Sequence, residues 1–151
     1  MNLVLAVAAL TVAGVMVGVE FSVAVFVNPI FDRLPGNGGL AGRADGGRVL
    51  GRVMPVWYMA SLTLTIVLAV IHRHDPGLSA LVGGAALFVL SVVMSVAVLV
   101  PINNRSKNWT PEQAPDDWRE QQARWDRYHY ARVAVIITAF VLVTIGVIQT
   151  S

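Results

Sequence analysis

Residues 78–100 read LSALVGGAALFVLSVVMSVAVLV, twenty-three consecutive positions without one ionisable side chain. As an α-helix rising 1.5 Å per residue, such a run crosses the roughly 30 Å hydrocarbon core of a bilayer, and only a helix satisfies its backbone there. Working outward, three further apolar runs occur at about 3–27, 54–71 and 130–149. The expected fold is therefore all-α: an integral membrane four-helix bundle forming one domain. Loops are expected at 28–53 and 101–129, with a tight turn over His72-Arg73-His74-Asp75-Pro76-Gly77. A chain of 151 residues that is 56% hydrophobic, 13% charged and +0.65 in mean hydropathy leaves no material for a second, soluble core.

Prolines and glycines set the expected boundaries. Asn28-Pro29 closes the first span, Pro55 opens the second where its missing N–H costs nothing, and Pro101 stops the third. Residues 34–51 (LPGNGGLAGRADGGRVLG) read as a mobile loop. Its Gly36-x-Gly38-x-x-Ala41 follows no strand and is no dinucleotide fingerprint. Gly14 and Gly18 form a small-xxx-small pair suited to helix packing. The fourth helix is expected to begin near Asp116, and at about 51 Å it would project three turns beyond the lipid core.

Charge fixes an expected orientation. The two long connections carry Arg33, Arg43, Arg48 and Arg52, and Arg105, Lys107, Arg119, Arg124, Arg127 and Arg132, against Arg73 alone in the short turn. The positive-inside rule then makes both long connections, and the extension of helix four, cytoplasmic. This predicts a multi-pass protein of the cell membrane with both termini outside. The first run lacks a basic n-region and is about 25 residues long, so it reads as a retained span rather than a signal peptide. The net charge of +2 sits around the spans, so the partner is the lipid bilayer and no nucleic acid is expected. The absence of cysteine excludes disulfides, zinc-thiolate and iron–sulfur chemistry.

Three features carry candidate chemistry. Glu20 is a carboxylate inside a span, which is costly and suits either a proton acceptor or ligand, or a packing hydrogen bond. Trp118, Gln122, Trp125, His129 and Arg132 recur every three or four residues and form one helical stripe. Aromatic walls with convergent polar groups, including Trp57 and Tyr58 at the edge of span two, suit a flat hydrophobic ligand; the plainer reading is an interfacial aromatic belt. Asn103 and Asn104 end span three on the same membrane face, where they either merely terminate it or converge with His129 and Glu20. His72 and His74 read as a solvated turn, and the sequons Asn104-Arg105-Ser106 and Asn108-Trp109-Thr110 read as chance matches.

Gly18-x-Glu20 before Asn28-Pro29, Val100-Pro101-Ile102-Asn103-Asn104, and Trp118-x6-Trp125-x3-His129-x2-Arg132 together resemble the anthrone oxygenase-like family of small four-span membrane proteins. The resemblance implies oxidation of a polycyclic aromatic substrate by molecular oxygen. It carries site roles onto Asn103, Asn104, Trp125, His129, Arg132 and Glu20. A consistent scheme uses His129 or Glu20 as base and Arg132 with the Asn103 and Asn104 amides as enolate stabilisers. It requires no cofactor beyond oxygen. With copper or iron, His129 and Glu20 would be ligands, completed by Tyr58, Tyr128 or Tyr130. The competing readings are a non-enzymatic module that binds a hydrophobic molecule or partner, and a small proton-coupled transporter. Against the latter stand four spans without a detectable internal repeat. A homo-oligomer is left open.

Overall fold

The computed structural model describes residues 3–150, which are mostly helical, with no strand among them. Four long helices alternate in direction: α1 Leu3–Asp32, α2 Gly38–Ile71, α3 Leu78–Ser106 and α4 Trp118–Gln149. Each packs on its sequence neighbour, and α4 returns against α1 to close the bundle. All four are long and apolar enough to cross a membrane. The core is drawn from every helix, through Met16, Leu68, Leu81, Phe88, Ile136 and Val143. Large side chains such as Val4, Val56, Val96 and Ile148 point outward, as a lipid solvent allows.

The α3–α4 pair is held closest by glycine. A Cβ on Gly84 would lie 2.7 Å from Val143, and one on Gly146 2.7 Å from Leu81. Gly14 likewise receives the Phe140 ring of α4, whereas nothing approaches Gly18.

Three expected boundaries are corrected. The glycine-rich stretch is not a loop: α2 begins at Gly38, so Pro55 lies inside a helix of 34 residues. Each glycine costs such a helix up to about 1 kcal/mol, but here the small residues admit neighbours. Phe31 packs on the Gly42 face, Asn103 reaches Gly47, and Arg43 is fixed by ion pairs. α4 starts at Trp118 rather than Asp116, and its 32 residues span about 48 Å.

The prolines of α1 and α3 do not end their helices. Before each lies one wide turn, Val23–Val27 and Ser95–Leu99, in which Asn28 N–H bonds Val23 O and Val100 N–H bonds Ser95 O, five residues back. The widened ladder accommodates the residue that cannot donate, and α1 runs on to Asp32 and α3 to Ser106. Ala24 O, whose next ladder donor would be Pro29, instead accepts from Tyr130 Oη at 2.7 Å. Eight residues of regular helix turn a side chain by about 80°, and one inserted residue takes back about 100°. Glu20 and Asn28 thereby face the same way, and so do Ser95 and Asn103. A local internal likeness underlies this: Ser22-Val23-Ala24-Val25-Phe26-Val27 and Ser95-Val96-Ala97-Val98-Leu99-Val100 differ at one position.

His72 is also corrected. It is buried at the start of the α2–α3 turn, with Nδ1 2.6 Å from Asp75 Oδ2, while His74 is exposed.

Candidate active site

The wide turns aim one side of α1 and α3 at the stripe of α4. Glu20 is 4% exposed, and its Oε2 accepts from Arg132 Nη2 at 2.7 Å. The same guanidinium donates from Nη1 to Ser95 Oγ at 2.8 Å and lies 5.3 Å over the Tyr58 ring. His129 is 1% exposed, so it belongs to the interior. It stacks on Trp125 with centroids 4.5 Å apart and planes at 25°. Arg132 Nη2 lies 3.1 Å from His129 Nδ1, and in the neutral tautomer that accepts from this guanidinium Nε2 carries the proton. Nδ1 is also 3.4 Å from Glu20 Oε2.

Beside this cluster is a cavity of about 410 Å³, within the range of small-molecule sites. Its walls are mostly apolar, from all four helices. Four buried polar atoms on its lining residues have no hydrogen-bond partner among the described residues: Tyr58 Oη, Trp125 Nε1, His129 Nε2 and Arg132 Nε. Buried donors are normally satisfied, and a set left open around one cavity is suited to a bound polar group.

A second cluster closes the polar end. Arg43 donates to Asp32 and to Asp126 at 2.8–3.0 Å, Asn28 Nδ2 donates to Asp126 at 2.9 Å, and Gln122 lies against Arg43. Beyond it is a smaller pocket that includes Trp118 and Arg119.

Of the residues singled out from sequence, Glu20, Tyr58, Asn103, Gln122, Trp125, His129 and Arg132 line the large cavity. Asn103 Nδ2 also donates to Gly47 O at 3.2 Å, tying α3 to α2. Trp118, Trp57 and Asn104 do not line it. Trp118 stands in the outer pocket, Trp57 packs against the core, and exposed Asn104 accepts from Lys107. Arg43, Asp126, Asn28 and Ser95 were not anticipated. Asp126 had a signal, since it falls between Gln122 and His129 at helical spacing. Arg43 has none, because its glycine-rich segment reads as a loop.

Copper or iron held by Glu20 and His129 would need the space Arg132 occupies. Among the described residues no three His, Cys, Asp or Glu side chains gather as a metal site. Tyr130 is committed to Ala24 O, and Tyr128 is outside the cavity. Two protein ligands fall short of the roughly three that such an ion usually takes, and this arrangement does not fit a metal ion.

The sequence profile of a family described as anthrone oxygenase matches residues 48–142, more than half of the chain. That stretch holds most of α2, all of α3 and the Trp125–Arg132 part of α4. No curated protein and no solved structure matches.

Proposed function

This chain belongs to the anthrone oxygenase family, and from that membership and its cavity we propose a membrane-bound oxygenase that oxidises a flat, hydrophobic polycyclic aromatic with molecular oxygen. The observation that carries the reading is the set of four unpartnered buried polar atoms, all on residues that line one mostly apolar cavity beside a buried carboxylate. Apolar walls take the rings, and the donors take a carbonyl oxygen.

The residues divide the work as follows. The protonated Nε2 of His129 and the Tyr58 hydroxyl donate to the carbonyl oxygen of an anthrone, where charge develops. Glu20 accepts a proton from the acidic methylene, and Arg132 holds that carboxylate while balancing its charge. The carbanion passes one electron to oxygen, and the radical pair joins as a C–O bond. Protonation gives a hydroperoxide. Loss of the second C–H proton with O–O cleavage forms the ketone, and the departing hydroxide leaves as water. The methylene loses four electrons and one O₂ gains four, so no further reductant is needed. In this scheme Glu20, rather than His129, is the base. The excess of Lys and Arg at the polar end supports, by the positive-inside rule, a reading in which that end and the start of α4 face the cytoplasm.

A Glu20 isolated from His129 would have favoured a mere binding module; instead the two share one cavity and one guanidinium. The test is oxygen uptake by the purified protein in lipid nanodiscs with anthrone, alongside elemental analysis. Protein-dependent uptake with equimolar anthraquinone is expected. Uptake no faster than in empty nanodiscs would end the oxygenase reading, and stoichiometric copper or iron would end the metal-free scheme.

A further inference from the structure

The large cavity is not closed on all sides, and its open side has a definite place. Five of its lining residues are exposed: Gly51, Pro55 and Met59 on α2, and Val96 and Val100 on α3. Each set is spaced by four, so each is one edge of a helix, and the two edges face across the α2–α3 groove. Every residue contributed by α1 or α4 is buried or half-buried. Val96 is 64% exposed and Met59 52%.

The depth of this opening is set by charge. From Val53 to Ile71 on α2 and from Leu78 to Ile102 on α3 no ionisable group occurs except the buried Tyr58, whereas Arg52 and Arg105 follow at the polar end. Pro55, Met59, Val96 and Val100 therefore lie on the hydrocarbon side of the charged boundary. At the polar side the groove is tied by Asn103 Nδ2 to Gly47 O, and the Arg43 ion pairs separate the cavity from the outer pocket. Bonded groups thus cross the water-facing end, and four of the five exposed lining residues lie on the apolar flank.

We propose that this window between α2 and α3 is a lateral portal, through which a flat hydrophobic substrate dissolved in the bilayer enters the cavity without crossing water. The portal rests on the oxygenase reading for the identity of its substrate, but its position in the membrane is measurable without turnover. Substrate partitioned into lipid meets the site at its membrane concentration, and apolar side chains at the mouth carry no desolvation cost for it.

The chain has no cysteine, so single thiols can be placed without background. Val96→Cys is labelled with bimane in proteoliposomes, and Val93→Cys, exposed on α3 but off the cavity, serves as control. Bimane at position 96 is expected to be quenched by acyl-chain-brominated lipid and not by aqueous iodide. Modifying the unlabelled Val96→Cys protein with benzyl methanethiosulfonate should lower kcat/KM for anthrone by about tenfold or more, with kcat at saturation kept within about twofold. The same treatment of Val93→Cys should change neither. Quenching by iodide would make the opening aqueous and overturn the proposal. Protection from both quenchers, with disulfide formation between copies of the unlabelled variant, would mean a second chain covers it. An unchanged kcat/KM after benzylation would show entry elsewhere. If the wild-type protein takes up no oxygen while position 96 still reports lipid, the oxygenase reading fails and the lipid-facing opening stands.

Discussion

Arg132 Nη2 lies 2.7 Å from Glu20 Oε2 across the α1–α4 interface, and both side chains are buried. Neither charge has open water to fall back on, so each is the condition for burying the other. Ser95, His129 and the Tyr58 ring are the other neighbours of the guanidinium, whose Nε has no partner among the described residues.

Removing one partner should therefore cost more than removing both. Arg132→Met or Glu20→Leu alone is expected to destabilise the protein by about 3 kcal/mol, and the double variant to recover most of that loss. Thermal unfolding in a single detergent checks this. Additive losses would mean the two groups do not interact as a pair. All three variants should be inactive.

His129 separates chemistry from packing. His129→Phe keeps a ring against Trp125 but removes both nitrogens, so the fold should persist while kcat falls by about 10²–10⁴. Oxygen uptake and unfolding measured on one preparation test it. Activity near wild type would remove His129 from the mechanism.

Tyr58 offers a milder contrast. Its hydroxyl has no partner among the described residues, so Tyr58→Phe should leave thermal stability unchanged or slightly raised. If the hydroxyl meets the substrate oxygen, kcat/KM for anthrone should fall by roughly tenfold, the worth of one hydrogen bond. Steady-state kinetics distinguish the two outcomes.

Adjacent glycines of α2 should respond oppositely. A Cβ on Gly46 meets Phe31 at an ordinary 3.8 Å, so Gly46→Ala should stabilise by about 0.5–1 kcal/mol through helix propensity. A Cβ on Gly47 would lie 2.5 Å from Asn103 Oδ1 and displace the side chain that ties α3 to α2. Gly47→Ala should lose that gain and about 1 kcal/mol besides. Equal melting temperatures for the two variants would contradict the clamp.

The spans were legible because an apolar run of about 20 residues has one solution in lipid. The stripe through Gln122, Trp125, His129 and Arg132 was legible because helical spacing places those side chains on one face. Two of the failures share a geometric cause. Asn103 and Asn104 are adjacent, as are Trp57 and Tyr58, and neighbours on a helix point about 100° apart, so one of each pair faces the cavity and the other does not. Trp118 falls on the stripe but lies beyond the Arg43 ion pairs, in the outer pocket. The glycine-rich start of α2 was hidden because glycine propensity argues against helix, and only the arrival of Phe31 and Asn103 from other helices reverses it. The prolines of α1 and α3 were read as stops because the wide turn before each leaves no mark in composition.

Those wide turns have a consequence for comparing related chains. Each contains one residue more than a regular helix of the same span would. Loss of that residue would surface in an alignment as a one-residue gap inside a membrane span. Deleting a position within 23–27 or 95–99 would rotate everything beyond it by about 100° and carry Asn28 or Asn103 off the cavity wall. A gap at either place thus marks the relatives whose cavity has a differently furnished polar end, and predicts a different choice of molecule there.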